Sequence, residues 1–233
     1  MSVQDIMSAG SPIQIKIYRT EQDGTDRGSS VIPGVSISEV MRYGGMMTSR
    51  TPLPPGGDDE AAAEVRTLID ECVSEVLPVL TYKVCYRYIP VEWEEGLPVL
   101  PFETYGSRNL AHNLAGCTEG VMFAATVGVG MDRLIQKYER ISPSRALIMQ
   151  ALGAERVEAL CDTFNADITA EAAGRGLVTV PRFSPGYGDL PLEVQKEFTA
   201  LLDCAHLIGI NLNESMLMSP SKSVTAVIGM KRG

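Results

Sequence analysis

The chain is organised around Arg182-Phe183-Ser184-Pro185-Gly186-Tyr187, which follows an apolar run at 177–181 that is typical of a strand. A glycine after a proline permits a positive φ, so the backbone can reverse there and present its N–H groups to a ligand. The planar guanidinium of Arg182 matches a carboxylate, and Tyr187 offers a flat face with one polar tip. The stretch therefore holds an amino-acid-like ligand beside an exposed ring, or it is an ordinary turn with Arg182 on the surface.

Three motifs stand in this part of the chain: Arg-x-x-x-Gly-Tyr at 182–187, Gly-Asp-Leu-Pro at 188–191, and Asn213-Glu214-Ser215-Met216-Leu217-Met218-Ser219-Pro220-Ser221-Lys222-Ser223-Val224. Together they resemble a known family, the activation (reactivation) domain of cobalamin-dependent methionine synthase. The order of the predicted elements also resembles that family back to about Ser38. The resemblance therefore covers most of the chain, and it is more specific at the C-terminal end than in the N-terminal third.

The resemblance implies an α+β fold. It implies one C-shaped domain with a bent, mainly antiparallel sheet, helices packed on the sheet, and a ligand bound shallowly near the inner surface. The irregular alternation of helices and strands, without regular βαβ units, favours the same class. A Pro- and Gly-rich linker is predicted at 48–58. Residues 1–57 would then form an N-terminal strand, a short helix and this linker, and 58–233 the main body, within one continuous domain.

For function, the resemblance implies an accessory component of a methyltransferase of methionine biosynthesis. Such a domain binds S-adenosylmethionine and docks on the cobalamin-carrying module when the cofactor has been oxidised to inactive cob(II)alamin. By position, Arg182 would pair with the carboxylate of the ligand, and backbone groups around Ser184 and Gly186 would bind beside it. Glu158, with Asp162 as the second choice, would meet the ammonium or sulfonium group.

The resemblance also implies a catalytic contribution from Tyr187, which would stand at the cobalamin face and help to displace the axial water. The sequence contains no cobalamin-binding Asp-x-His-x-x-Gly, no zinc-binding cysteines for homocysteine and no folate barrel. The expected partner is therefore a separate cobalamin-carrying methionine synthase that lacks its own activation domain. No flavin or iron–sulfur motif is visible, so an electron-donor protein is expected as well. The alternative is a non-enzymatic module that binds or chaperones a corrinoid protein without using S-adenosylmethionine.

One position departs from the family pattern. The fused form of the family carries an aspartate that contacts the ligand near the place where Arg42-Tyr43-Gly44-Gly45 stands here, and Glu39 is the nearest acid. This departure favours the module that does not use S-adenosylmethionine, whereas Arg182 and Tyr187 favour reactivation.

The composition argues against several other classes. The net charge is −9 and the basic residues form no stripe, which argues against a nucleic-acid partner. No apolar run is long enough to span a membrane, and the N-terminus lacks the basic region of a signal peptide, so the expected location is the cytoplasm. Five cysteines and two histidines are widely spread. Their spacing predicts buried, reduced thiols and no metal site.

Local patterns predict the secondary structure. Ser38, Ser107 and Ser142 are predicted helix caps. Leu147 begins the apolar stripe of the longest predicted helix, and Gly128-Val129-Gly130 is predicted as a tight turn because the third glycine of a dinucleotide fingerprint is missing. The predicted helices are 38–43, 58–77, 108–114, 131–141, 142–173 and 192–202, and the predicted strands are 13–18, 81–93, 121–127, 177–181 and 223–228.

Overall fold

The computed structural model describes residues 11–20, 31–45 and 60–233, so the predicted linker at 48–58 lies outside the described residues. The strands are β1 (Gln14–Thr20), β2 (Val31–Ile32), β3 (Tyr82–Pro90), β4 (Glu92–Glu94), β5 (Leu97–Val99), β6 (Glu119–Thr126), β7 (Leu177–Thr179), β8 (Asn211–Leu212), β9 (Met218–Ser219) and β10 (Ser223–Arg232). The helices are α1 (Ile37–Tyr43), α2 (Glu60–Val76), α3 (Arg108–Asn113), α4 (Val129–Ile141), α5 (Pro143–Gly174), α6 (Gln195–Leu201) and α7 (Cys204–Leu207). Short 3₁₀ turns occupy Leu77–Val79 and Leu192–Val194.

Within the described residues, six strands form the main sheet in the order β2-β1-β3-β6-β10-β7. The pair β1 and β2 is parallel, and every other neighbouring pair is antiparallel. The sheet curls into a half-barrel with helices packed against it. The α+β prediction, with a bent and mainly antiparallel sheet, is confirmed.

The central strands of the sheet are buried on both faces. Phe123 of β6 packs against Phe164 of α5 on one face, with 4.8 Å between ring centroids. Met122 and Ala124, the neighbours of Phe123, belong to a second core that also contains Leu110 of α3 and Phe198 of α6. Because successive side chains of a strand point to opposite faces, a strand segment buried on both faces is apolar, as β6 is over 121–125.

Helix α5 is the long helix predicted from Ser142 onward. Pro143 occupies its first position, where the missing N–H has no cost. The predicted cap is wrong in one respect, because Ser142 precedes the helix but its side chain makes no capping hydrogen bond. The predicted stripe is wrong at Leu147, which is exposed. The remaining stripe packs against the sheet, and its buried members are Ala151, Val157, Leu160, Cys161, Phe164 and Ile168.

The N-terminal segment is joined to the main body through α5. Arg156, whose side chain is only 1% exposed, donates to the carbonyl oxygens of Pro33 and Gly34 at 2.7 and 3.1 Å and also pairs with Glu155. Glu155 in turn accepts from the N–H of Ser36 at 3.1 Å. Strand β1 also pairs with β3. Residues on both sides of the predicted linker at 48–58 therefore belong to one sheet.

Two further predictions are corrected. Ser36, not Ser38, caps α1, because Ser36 has an extended backbone and its hydroxyl accepts from the N–H of Glu39 at 3.4 Å. The strand predicted over 81–93 ends at Pro90, after which the N–H of Val91 donates to Thr118 and the chain enters the β4–β5 hairpin. The prediction for the cysteines is confirmed, since all five are free and buried. No described helix has the length and apolarity that a membrane span requires.

Candidate functional site

The backbone around Arg182 follows strand β10. The N–H of Val180 donates to Gly229 at 2.9 Å, and Phe183 exchanges two 2.9 Å backbone hydrogen bonds with Val227. Phe183 packs in the core beneath α3 and α6. Because side chains alternate along an extended segment, Arg182 points to the opposite side, towards α5.

Three charged side chains meet there and form what we call the Arg182 cluster: Arg182, Glu158 and Asp162. The guanidinium donates from Nη2 to Glu158 at 2.5 Å and from Nη1 to Asp162 at 2.6 Å. The two acids lie four residues apart on α5 and therefore share one helical face. The exposed fraction of the side chain rises from 26% for Arg182 through 39% for Glu158 to 71% for Asp162. The structure thus brings together the arginine and both acids that were predicted.

Burial and the neighbouring charges have opposite effects on the pKa of Arg182. Burial lowers the pKa of Arg182, but the hydrogen bond to Asp162 and the neighbouring negative charges outweigh it, so the pKa lies above its usual value. Cys161 lies directly beneath, and its burial raises the pKa of the thiol to about 12. The arginine therefore remains charged and the cysteine remains neutral at physiological pH.

The predicted reversal at Pro185-Gly186 is confirmed, with a φ of 83° at Gly186. Its N–H donates to the carbonyl of Leu190 at 2.9 Å, and that of Tyr187 donates to Ser184 at 3.1 Å. These two N–H groups are therefore engaged within the turn, contrary to the expectation that the turn presents them to a ligand. Tyr187 is 69% exposed, and its ring stands edge-on to Phe183 with 5.5 Å between centroids.

Helix α3 contacts both ends of this segment, an arrangement that the sequence analysis missed. Asn113 donates from Nδ2 to the carbonyl of Pro181 at 3.1 Å, just before Arg182. Asp189, two residues after Tyr187, accepts from the hydroxyl of Ser107 and from the N–H groups of Arg108 and Asn109. Ser107 was predicted as a cap, but no local pattern connects it with a residue 82 positions away.

Glu39 is the acid nearest to 42–45, where the family pattern has an aspartate, and it is not part of the Arg182 cluster. It accepts from Nε of Arg42 at 2.7 Å on its own helix, and among the described residues no contact joins it to Arg182. A separate cavity of about 660 Å³ lies between α6 and the β8–β9 hairpin, where Lys196, Asn213 and Met216 line it. None of the predicted site residues lines that cavity.

The structure is similar to a known structure, and the sequence matches a family profile. A crystal structure described as the MetH reactivation domain bound to AdoHcy is similar with a TM-score of 0.64 and 14% sequence identity, over 94% of this chain and 78% of that one. At this identity the likeness shows the fold. No curated protein matches the sequence. The profile of the family described as "Vitamin B12 dependent methionine synthase, activation domain" matches residues 111–232, more than half of the chain, including the whole Arg182 cluster and Tyr187. The chain therefore belongs to the family of activation domains of vitamin B12-dependent methionine synthase.

Proposed function

We propose that this chain binds S-adenosylmethionine at the Arg182 cluster and docks through the Tyr187 turn on a separate, cobalamin-carrying methionine synthase in the cytoplasm. Docking would permit the reductive reactivation of that methionine synthase. The observation that carries the proposal is the position of both features on one short segment. Arg182 lies between two carboxylates at the start of the segment, and Tyr187 is exposed five residues later.

The charges of the cluster fit the ligand. Two carboxylates and one guanidinium leave a single net negative charge at this site. S-adenosylmethionine carries a carboxylate, an ammonium and a sulfonium, and so has a single net positive charge. Opposite net charges at short range favour association. S-adenosylhomocysteine lacks the sulfonium charge and would lose part of this attraction.

The ligand carboxylate would accept the Nη1 hydrogen bond that Arg182 now donates to Asp162. Asp162 is the most exposed member of the cluster, so water can solvate its carboxylate when the contact is exchanged. Glu158 is half-buried and would stay beside the positive groups of the ligand. The guanidinium has five N–H donors, enough to hold Glu158 and a ligand carboxylate together.

Ser184 and Gly186 would contribute in different ways. The N–H and hydroxyl of Ser184 donate to no described residue, so both are available to a ligand beside Arg182. The N–H of Gly186 is engaged, and its contribution is shape. A Cβ at this position would lie 3.0 Å from Leu192, in addition to the strain of the positive φ.

Tyr187 suits contact with a flat macrocycle. Its ring is exposed on a hydrogen-bonded turn and is supported from one side by Phe183. An aromatic held in this way supplies contact area with little loss of side-chain entropy. The cobalamin of the partner would supply the cobalt centre that receives the methyl group, and an electron-donor protein would supply the reducing equivalent. This chain would supply position and electrostatics.

A second candidate function is a corrinoid-protein binding or chaperone module that does not use S-adenosylmethionine. Two observations favour it. Arg182 already has two carboxylate partners, and Glu39 is paired with Arg42.

Two measurements separate the candidates. Calorimetric titration with S-adenosylmethionine should give saturable binding, and the chaperone module should give none. A methionine synthase fragment that lacks its activation domain is then loaded with cob(II)alamin and titrated with this chain. The absorbance should change as the axial water is lost, and a strong reductant should allow methylation of the cofactor only when S-adenosylmethionine is present. Binding of the fragment without either change would support the chaperone.

A further inference from the structure

We propose that Asp189 is the residue that positions Tyr187, by fastening its turn to the first turn of α3. The role in docking rests on the function proposed above, whereas the positioning itself does not. Asp189 has no side-chain contact with Tyr187 in the structure, so its effect would pass through the backbone of the turn.

The hydrogen bonds to Asp189 complete the start of α3. The N–H of Arg108 donates to its carboxylate at 2.9 Å, and the N–H of Asn109 donates at 3.2 Å. The hydroxyl of Ser107 also donates to Asp189 while it accepts from the N–H of Leu110 at 3.1 Å. A carboxylate is favoured at this end of a helix because N–H groups converge there without partners of their own. These bonds, led by that of Ser107, lower the pKa of Asp189, so the carboxylate stays charged.

The turn also lies directly against α3. Gly188 has a φ of 58°, and a Cβ added there would lie 2.4 Å from Nδ2 of Asn109. At the other end of the segment, Asn113 holds the carbonyl of Pro181. Helix α3 is itself fixed, because Leu110 is fully buried in the core. The backbone before Arg182 and the backbone after Tyr187 are therefore both attached to one helix, which Leu110 anchors in the core.

Tyr187 depends on this attachment because its own side chain has few partners. Its hydroxyl makes no hydrogen bond with the described residues, and its ring makes a T-shaped contact with Phe183. An exposed ring on an unattached turn would sample many directions, and a partner would have to restrict them on binding. A carboxylate that fixes the turn removes this cost before docking.

The test compares Asp189→Asn with a matched control, Asp132→Asn. Asp132 likewise accepts from a serine hydroxyl and a backbone N–H, those of Ser221, but it does so on α4. Each full-length variant is labelled with 3-fluorotyrosine, and the ¹⁹F resonance of Tyr187 among the eight tyrosines is assigned by its loss in Tyr187→Phe. Docking to the cob(II)alamin-loaded fragment and S-adenosylmethionine affinity are measured on the same samples.

For Asp189→Asn we expect a shifted or broadened Tyr187 resonance, docking weakened about tenfold because hydrogen bonds to a charged group are lost, and ligand affinity within about twofold of wild type. Asp132→Asn should leave the Tyr187 resonance and docking unchanged. Ser107→Ala, which removes one of the bonds, should act in the same direction with a smaller effect.

The outcomes separate this inference from the proposed function. An unchanged Tyr187 resonance in Asp189→Asn overturns the positioning role, whatever the docking result. A changed resonance with wild-type docking overturns the link between position and docking. If the wild-type chain itself fails to dock, the proposed function fails, while the ¹⁹F comparison still decides whether Asp189 positions the ring. Melting curves identify any variant whose effect is general unfolding.

Discussion

Arg182 donates from Nη1 to the carboxylate of Asp162 at 2.6 Å, although the side chain of Asp162 is 71% exposed. A contact with such an exposed acid contributes little to stability, because water solvates the separated charges well. The same contact holds the guanidinium in a fixed direction beside Glu158. The pair therefore orients Arg182 and can still exchange Asp162 for another carboxylate.

The first prediction concerns Arg182. Arg182→Ala should weaken S-adenosylmethionine binding by about ten- to a hundredfold, the usual range for a lost charge-assisted contact. Arg182→Lys should recover little, because a single ammonium cannot replace the planar fork. Isothermal calorimetry measures both. Arg175→Ala is the control, since Arg175 forms an exposed pair with Glu119 outside the cluster. If Arg182→Ala bound S-adenosylmethionine with wild-type affinity, the ligand would not bind at this site.

A second prediction uses two ligands that differ in one charge. Glu158→Gln keeps the shape of the side chain and removes its charge, so it should reduce affinity for S-adenosylmethionine more than for S-adenosylhomocysteine. The sulfonium of the first ligand is the charge that makes the difference. Competitive calorimetry with both ligands gives the two ratios. An equal loss of affinity for both ligands would place Glu158 at the ammonium group, which both ligands share. Unchanged affinity for both would mean that Glu158 contacts Arg182 and not the ligand.

The third prediction separates ligand binding from docking. Tyr187→Ala should leave S-adenosylmethionine affinity almost unchanged, because the ring stands on Phe183 and away from the cluster. It should reduce docking on the cob(II)alamin-loaded partner and the absorbance change that follows loss of the axial water. Tyr105→Ala is the control, as Tyr105 is another exposed tyrosine. Identical spectra from wild type and Tyr187→Ala would exclude the ring from the mechanism.

A fourth prediction concerns stability. Arg156→Met should lower the free energy of unfolding by about 3–5 kcal/mol, because it leaves Glu155 as a buried charge without its partner. The double variant Glu155→Gln/Arg156→Met should cost less than the sum of the two single variants, since no lone charge is left behind. Urea denaturation at neutral pH measures these differences. Arg175→Met removes an exposed pair and should cost less than about 1 kcal/mol; a similar cost for Arg156→Met would contradict the role of burial.

The fifth prediction concerns pH. The hydroxyl of Tyr138 donates to Glu75 at 2.6 Å, and Lys137 and Arg145 lie nearby, so the pKa of Glu75 is below its ordinary value. The unfolded chain then binds more protons between the two pKa values, and stability rises with pH there. This contribution is complete above the unfolded value of about 4.3 and disappears as pH falls through the folded value. Tyr138→Phe should reduce the increase of the unfolding free energy with pH over this acidic range. An unchanged pH dependence would refute the role of Tyr138 in lowering the pKa of Glu75.

The sequence predicted most elements, because hydrophobic periodicity reports which faces are buried. The stripe of α5 and the apolar run of β6 are clear cases. Leu147 was predicted wrongly because the buried face at the start of α5 runs through Ala146, Ile148 and Met149, and Leu147 lies outside it. Ser38 was predicted as a cap but lies inside α1, and the extended backbone of Ser36 identifies that serine as the cap.

For the site, the family pattern led to the prediction of Arg182, Glu158 and Tyr187 as site residues, but it did not show what surrounds them. The second carboxylate on Arg182 follows from the helical spacing of Glu158 and Asp162 once the arginine is placed above α5. The attachment of Asp189 to α3 joins segments 80 to 82 positions apart. Only the tertiary fold creates such a contact, so no local pattern predicts it.

The buried pair Glu155 and Arg156 has a consequence for the order of events during synthesis. Its partners, Pro33, Gly34 and Ser36, precede it by 119 to 123 positions. At a translation rate of about 5–20 residues per second, the N-terminal segment leaves the ribosome roughly 6–24 s before α5 exists to receive it. During that interval β1 also lacks its partner β3 for part of the time. The nascent chain therefore presents an unpaired strand to solvent, and the helix that completes its packing is translated long afterwards.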